Sequence, residues 1–152
     1  MSDILTHTEA GVTTITLHRL ERKNSITSAM YAALADALAQ AERDPAVRVV
    51  VIQGHETVFS AGNDIGDFLQ SPPKSDDAPV FRFLRGISSF PKPLVAAVCG
   101  PAVGIGTTLL LHCDLVYAGD NAMFSMPFVN LGLCPEAASS YLVPRLMGHA
   151  RA

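Results

Sequence analysis

With 152 residues, of which 49% are hydrophobic and only 16% charged, and a mean hydropathy of +0.28, the chain has apolar side chain enough for one domain-sized core. That excludes a disordered polypeptide. A net charge of −3 and an isoelectric point near 5.9 exclude an overall electrostatic attraction to nucleic acid or to anionic membrane, and a charged share below the roughly 25% of ordinary soluble domains points to apolar surface reserved for a partner or for further chain, so oligomerisation is expected.

Residues 4–18 alternate in part, with Val12, Ile15 and Leu17 set among threonines around Gly11, and predict a β-hairpin. A polar loop follows, Arg19-Leu-Glu-Arg-Lys-Asn24. Thr27 is a helix N-cap candidate, and Met30, Leu34, Ala37, Leu38 and Ala41 recur at helical spacing until Asp44-Pro45 stops the helix. Residues 48–54 (RVVVIQG) predict a buried strand from their β-branched run, and Phe59-Ser-Ala-Gly-Asn-Asp-Ile65 a turn into a short helix. This puts a glycine-bearing loop at the carboxyl end of a strand, where open α/β sheets bind ligands.

Residues 71–79 (SPPKSDDAP) are polar and proline-rich and predict a mobile loop, after which Phe81, Leu84 and Ile87 resume a helix. Residues 93–99 predict a second buried strand, 100–106 a turn, 107–112 a buried helix, 114–118 a strand, 122–127 a further extended segment, and 137–147 a helix ending before Gly148. Strands and helices alternate, so the fold class is α/β. The uncharged run 94–111 has the length of a membrane span, but Pro101 and glycines at 100, 104 and 106 break it, as a strand, a turn and a helix would.

Cys99, Cys113 and Cys134 are odd in number and widely spaced, with no C-x-x-C pair, so neither a disulfide framework nor a zinc site is indicated. A reducing, cytoplasmic setting is expected, and the first residues carry no basic-plus-apolar stretch that would direct export. His112-Cys113-Asp114 does not make a triad, because side chains adjacent in sequence do not converge as a triad requires.

Two corners share one physical design. In Ser60-Ala61-Gly62-Asn63-Asp64 the backbone N–H of Asn63, and in Gly104-Ile105-Gly106 that of Ile105, would project from a glycine turn at the start of a helix. Two such donors can hold one oxyanion, since helix N-termini leave N–H groups unpaired and favour negative charge. Either corner alone also reads as an ordinary strand-to-helix turn.

The two corners together, in this order, resemble the enoyl-CoA hydratase/isomerase (crotonase) family. Phe59-Ser-Ala-Gly-Asn-Asp-Ile65 is similar to its F-[SA]-[AS]-G-x-D-[IFL] motif, and Gly100-Pro-Ala-Val-Gly-Ile-Gly-Thr-Thr-Leu-Leu-Leu-His-Cys-Asp114 to its second motif. Further matches are Arg22-Lys-Asn-Ser25, Asp44-Pro45, Lys92-Pro93 and Asn130-Leu-Gly-Leu-Cys-Pro135. The resemblance implies a crotonase core over residues 1–152, a spiral of ββα units. Family members continue into a mainly helical C-terminal region that this sequence lacks after Gly148. It also implies an acyl-CoA thioester as substrate, a homotrimer or hexamer, no cofactor beyond the coenzyme A of the substrate, and no nucleic-acid or membrane partner.

By the same resemblance the N–H groups of Asn63 and Ile105 form the oxyanion hole. Coenzyme A would be held by the loops containing Lys23 and Ser25 and containing Ser60, Ala61, Gly62, Asp64 and Ile65, with Gly104 shaping the second corner. Lys23 would meet a phosphate or stand as a solvated surface lysine, and Asp64 would hold its turn. The two glutamates of family hydratases are replaced by Thr108 and Phe128. Water addition needs one group to activate water and another to deliver a proton, which makes this chain a poor hydratase. Glu136, in Leu133-Cys-Pro-Glu-Ala-Ala, stands where the peroxisomal-type Δ3,Δ2-enoyl-CoA isomerases carry their single glutamate. The expected reaction is therefore isomerisation of 3-enoyl-CoA to 2-enoyl-CoA with Glu136 as base. Another crotonase reaction, a weak hydratase included, and a catalytically silent acyl-CoA-binding or assembly subunit are the alternatives, and for Glu136 alone so is a helix-capping role.

Overall fold

A computed structural model describes residues 2–152. The chain opens as an antiparallel hairpin of β1 (Ile4–Glu9) and β2 (Val12–Leu17), turned at Ala10 and Gly11, both at positive φ. Helix α1 (Ser28–Arg43) starts where the sequence predicts, with the Thr27 side chain accepting from the Met30 N–H at 3.2 Å. Its apolar stripe, including Met30, Leu34, Ala37, Leu38 and Ala41, is buried.

Strand β3 (Val49–Gln53), helices α2 (Ile65–Gln70) and α3 (Pro79–Ser88), and strand β4 (Leu94–Val98) follow. The remaining elements are β5 (Pro101–Val103), α4 (Ile105–Thr108) running into a 3-10 turn over Leu109–His112, β6 (Leu115–Ala118), β7 (Met123–Ser125) and α5 (Ser139–Met147). The main sheet has the order β1-β2-β3-β4-β6, parallel from β2 onward. A second sheet pairs β5 with β7 in parallel, and isolated parallel bridges join Ser60 to Ala102 and Ile26 to Asn63. Each strand of the main sheet from β3 thus hands its chain to this second layer, where both glycine corners lie.

The core lies between the main sheet, α1 and α3, and is filled by Ile15, Leu34, Leu38, Ile52, Phe59, Phe83 and Leu94. No helix among the described residues is long and apolar enough to cross a membrane. The uncharged run 94–111 divides into β4, β5, α4 and most of the 3-10 turn.

Two local differences from expectation have physical causes. The segment expected as a plain turn at 100–106 contains β5, because Gly100 and Gly104, both at positive φ, bracket three extended residues that find β7 as a partner. Three residues are too few for a period-2 pattern to register. The expected helix at 107–112 starts at Ile105 and tightens to 3-10 geometry after Thr108. Strands β6 and β7 carry exposed apolar side chains, with Leu115, Tyr117, Met123 and Phe124 each at least half exposed.

Candidate active site

The first glycine corner is stitched to the loop after β2. Arg19 donates through one guanidinium nitrogen to the Ser25 carbonyl and hydroxyl at 2.9 Å each and to the Asp64 carboxylate at 2.8 Å. The Ser60 hydroxyl donates to the Asn24 carbonyl at 2.8 Å, the Ala61 N–H to the Lys23 carbonyl at 2.9 Å, and the Asp64 N–H to the Ile26 carbonyl at 2.9 Å. Asn24 is fully buried at positive φ, and its side chain ties Arg19 N–H to the Phe59 carbonyl. Asp64 caps α2 through the Asp67 N–H, and the Arg19 hydrogen bond, followed by that cap, holds its carboxyl at about 2.

The second corner rests on the first. The Ser60 N–H donates to the Pro101 carbonyl at 3.1 Å, and the Val103 N–H to the Ser60 carbonyl at 2.9 Å. Gly62, at φ +91°, lies so close that a Cβ there would stand 2.9 Å from the Val103 carbonyl oxygen and 3.9 Å from the Gly104 Cα. Only glycine permits both the φ and the approach. The next residue on each side is Asn63 and Ile105. Their backbone N–H groups have no hydrogen-bond partner among the described residues, while the Thr107 and Thr108 N–H groups are taken by the Gly104 carbonyl.

Glu136 reaches this neighbourhood from far along the chain. With Ile26, Tyr31, Asn63 and Asp64 it lines a cavity of about 540 Å³, whose outer wall is formed by Phe68, Pro72, Pro73, Val80, Phe81 and Leu84. Its Oε1 is buried without a hydrogen-bond partner, and burial raises the proton affinity of the carboxyl, partly offset by the Asn63 side-chain amide. Tyr31 donates its hydroxyl to Asn63 Oδ1, and burial followed by the Glu136 charge holds its own proton on. The chain after Glu136 turns sharply, with Ala137 and Ala138 both at positive φ.

The structure thus brings Glu136, Asn63 and Asp64 to one cavity and sets Gly62 against Gly104, while Ile105 is fully buried and is not among the residues lining that cavity. Lys23 is exposed at positive φ, Ser25 is half-buried against Arg19 and Asp64, and Ile65 is 63% exposed at the start of α2. Ser60 is completely buried, and the N–H groups of Ser60, Ala61 and Asp64 are spent inside the protein. The Ser60 and Asp64 carbonyls accept from the Val103 and Phe68 N–H groups, and the Ala61 carbonyl has no backbone donor among the described residues. Thr108 is fully buried with an unpartnered hydroxyl, and Phe128 is buried.

Sequence reasoning passes over Arg19, Asn24, Tyr31 and the structural task of His112. Asn24 carries a usable signal, since asparagine tolerates the left-handed conformation that a tight loop requires. Of the adjacent triplet, His112 turns to the Ala137 carbonyl at 2.8 Å and Asp114 accepts from the Leu94 N–H at 2.8 Å. Burial, with the Asp114 charge, pushes the Cys113 thiol up to about 12. They do not converge. All three cysteines are free, and among the described residues no three His, Cys, Asp or Glu side chains are placed to hold a metal.

Parallel strands joined through helices, with a second small sheet carrying two abutting glycine corners, define an α/β protein of the spiral type, and Glu136 and Asn63 share the wall of its cavity. Its sequence matches the Enoyl-CoA hydratase/isomerase family over residues 7–152, and the chain belongs to that family. Among curated relatives it is 43% identical to the 1,2-epoxyphenylacetyl-CoA isomerase of Escherichia coli, covering 100% of this chain and 61% of that protein. With the enoyl-CoA delta isomerase 2 of Rattus norvegicus it shares 44% identity over 98% of this chain and 39% of that protein. The solved structure of Pseudomonas aeruginosa OdaA superposes with a TM-score of 0.95 at 55% identity, over 99% of this chain and 61% of that one. The chain therefore spans about two fifths to three fifths of the length of these relatives.

Proposed function

We propose that the chain carries the reaction centre of an acyl-CoA isomerase that converts a 3-enoyl-CoA to a 2-enoyl-CoA. The observation that carries this reading is the Glu136 carboxylate, which has an unpartnered buried oxygen and lines the same cavity as Asn63, whose backbone N–H, like that of Ile105 in the abutting corner, has no hydrogen-bond partner among the described residues. The thioester oxygen of the substrate lies against those two N–H groups. Glu136 removes a proton from C2, the electron pair of that C–H bond delocalises onto the thioester oxygen as a dienolate, and the carboxyl returns the proton to C4. The double bond moves from C3–C4 to C2–C3, and no atom is gained or lost.

One carboxyl suffices for this chemistry, and a positioned acid/base contributes roughly 10²–10⁴-fold in rate. Water addition is disfavoured by Thr108 and Phe128, neither of which can move a proton as a carboxylate does. Names among the relatives agree with isomerisation of a CoA thioester. Coenzyme A would lie along the 23–25 and 60–65 loops, with Lys23 toward a phosphate and the Ala61 carbonyl as acceptor. The exposed apolar side chains of β6 and β7 support a homotrimer or hexamer in which they are covered.

The deciding experiment compares the protein with its Glu136→Gln variant on 3-enoyl-CoA and 2-enoyl-CoA, followed by ultraviolet absorbance. Isomerisation by the parent and its loss in a folded variant are expected. Retained isomerisation in the variant would remove Glu136 from the role of base, and hydration in place of isomerisation would assign another reaction of the family.

A further inference from the structure

The cavity shared by Glu136 and Asn63 is far larger than their chemistry requires. An engineered cavity of about 150 Å³ in another protein holds a benzene molecule, and at that ratio the space of about 540 Å³ here has room for roughly twenty carbon-sized groups. A thioester with its three reacting carbons fills only a fraction of it. The lining side chains also give the cavity a direction. Ile26 and Tyr31 are 2% and 4% exposed, and both meet Asn63, Ile26 through a backbone bridge and Tyr31 through its hydroxyl. Phe68 and Phe81, on the same lining, are 47% and 37% exposed. The end at Asn63 is therefore the buried end, and the two phenyl rings mark the outer one.

Two walls make up that outer half. One is α2 with the segment after it, through Phe68, Pro72 and Pro73, and the other is the first half of α3, through Val80, Phe81 and Leu84. Asp67 accepts from the Ser28 N–H at 2.7 Å, which pins the first turn of α2 against the start of α1, and the Phe68 N–H donates to the Asp64 carbonyl at 2.9 Å. Helix α2 buries none of its residues, so Phe68 gives nothing to the core. Phe81 likewise lies off the buried stripe of α3, which Phe83 and Ile87 carry. Two large aromatic side chains that the core does not use, on a cavity continuous with the proposed reaction centre, hold apolar surface in reserve for a ligand. Of the charged side chains in the lining, Asp64 is paired with Arg19, and Lys74 is exposed.

We propose that the acyl group taken here is a long apolar chain that extends beyond the reacting carbons between these two walls, and that Phe68 and Phe81 select it by length. This deepens the isomerase reading and rests on it for which end of the chain reaches Glu136. A four-carbon acyl group stops at the carbon that receives the proton and leaves the outer half empty. Each further methylene buried between the walls is worth about fourfold in affinity. Such contacts are the same before and during the reaction, so they act on KM and leave kcat in place.

The test reads binding and turnover on one chain-length series. Titration calorimetry with hexanoyl-CoA and decanoyl-CoA, which are saturated and cannot react, should show about 10²-fold tighter binding of the longer chain and a more negative heat-capacity change. With 3-hexenoyl-CoA and 3-decenoyl-CoA, kcat/KM should differ by a similar factor, carried by KM. Phe68→Ala and Phe81→Ala should each weaken decanoyl-CoA by about tenfold and leave hexanoyl-CoA and the unfolding temperature nearly unchanged, since neither ring belongs to the core. Equal affinity for the two saturated thioesters overturns the long chain. Variants that weaken both thioesters alike, or neither, overturn selection by Phe68 and Phe81. Tighter binding of an ω-carboxylated ten-carbon thioester than of decanoyl-CoA would set Lys74 at the outer end and overturn the apolar chain. The binding arm needs no chemistry, so a protein that prefers decanoyl-CoA through these two rings yet isomerises nothing supports the selection and overturns the isomerase reading alone.

Discussion

His112 holds the corner that delivers Glu136: its Nε2 lies 2.8 Å from the carbonyl oxygen of Ala137, the residue after the proposed base. Ala137 and Ala138 stand at φ +50° and +53°, a conformation that costs non-glycine residues roughly 1–2 kcal/mol each. The contact ties this strained turn to the end of the 3-10 segment that begins four residues after Ile105. A single ring thereby links the turn that follows Glu136 to the segment that follows the second glycine corner.

Removing the ring should loosen that corner. His112→Ala is expected to lower stability by about 1–3 kcal/mol, the cost of leaving the Ala137 carbonyl without its donor, and to lower kcat more than KM. Denaturant unfolding and steady-state kinetics check both. By contrast, Ala138→Gly relieves a left-handed alanine and should leave stability unchanged or raise it by up to about 1 kcal/mol. A large destabilisation by Ala138→Gly would show that the turn is not strained.

Burial raises the proton affinity of Glu136, which sets the sign of the pH dependence. A base works only when ionised, so activity should be lost as pH falls through a value above the ordinary carboxylate range. A kcat/KM profile on 3-enoyl-CoA reads this directly. An acidic limb at the ordinary value of a solvated glutamate, about 4.3, would contradict it.

The contact between the glycine corners should be intolerant of a single methyl group. Gly62→Ala would place its Cβ 2.9 Å from the Val103 carbonyl oxygen at a φ of +91°, and the corners must part to admit it. Losing the alignment of one oxyanion donor predicts a fall in kcat of about 10²–10³-fold. Activity near the parent level would mean that the spacing of Asn63 and Ile105 is not what stabilises the dienolate.

Asp64 should contribute to acid stability. Its folded carboxyl is held at about 2, below the ordinary value near 3.9, so its contribution is present above the unfolded value and is lost as pH falls from about 4 toward 2. Asp64→Asn should lower the unfolding temperature at neutral pH and reduce the steepness of destabilisation in that window. An unchanged slope would show that Arg19 is satisfied without it.

The amino-acid sequence by itself determined the family, the α/β class, the order of most elements and the identity of both glycine corners. Those features are written locally: Thr27 caps the helix that it precedes, β-branched runs mark the parallel strands, and Gly62 and Gly104 mark backbone that other residues enter only with strain. A single acidic residue at 136, with Thr108 and Phe128 where hydratases carry glutamate, is equally a local fact. Tertiary structure alone decided what meets what. That Gly62 touches Gly104, that Tyr31 bonds Asn63, and that His112 secures Ala137 follow from packing across dozens of residues. Periodicity records which face of an element is buried, and it carries no information about which distant face receives it.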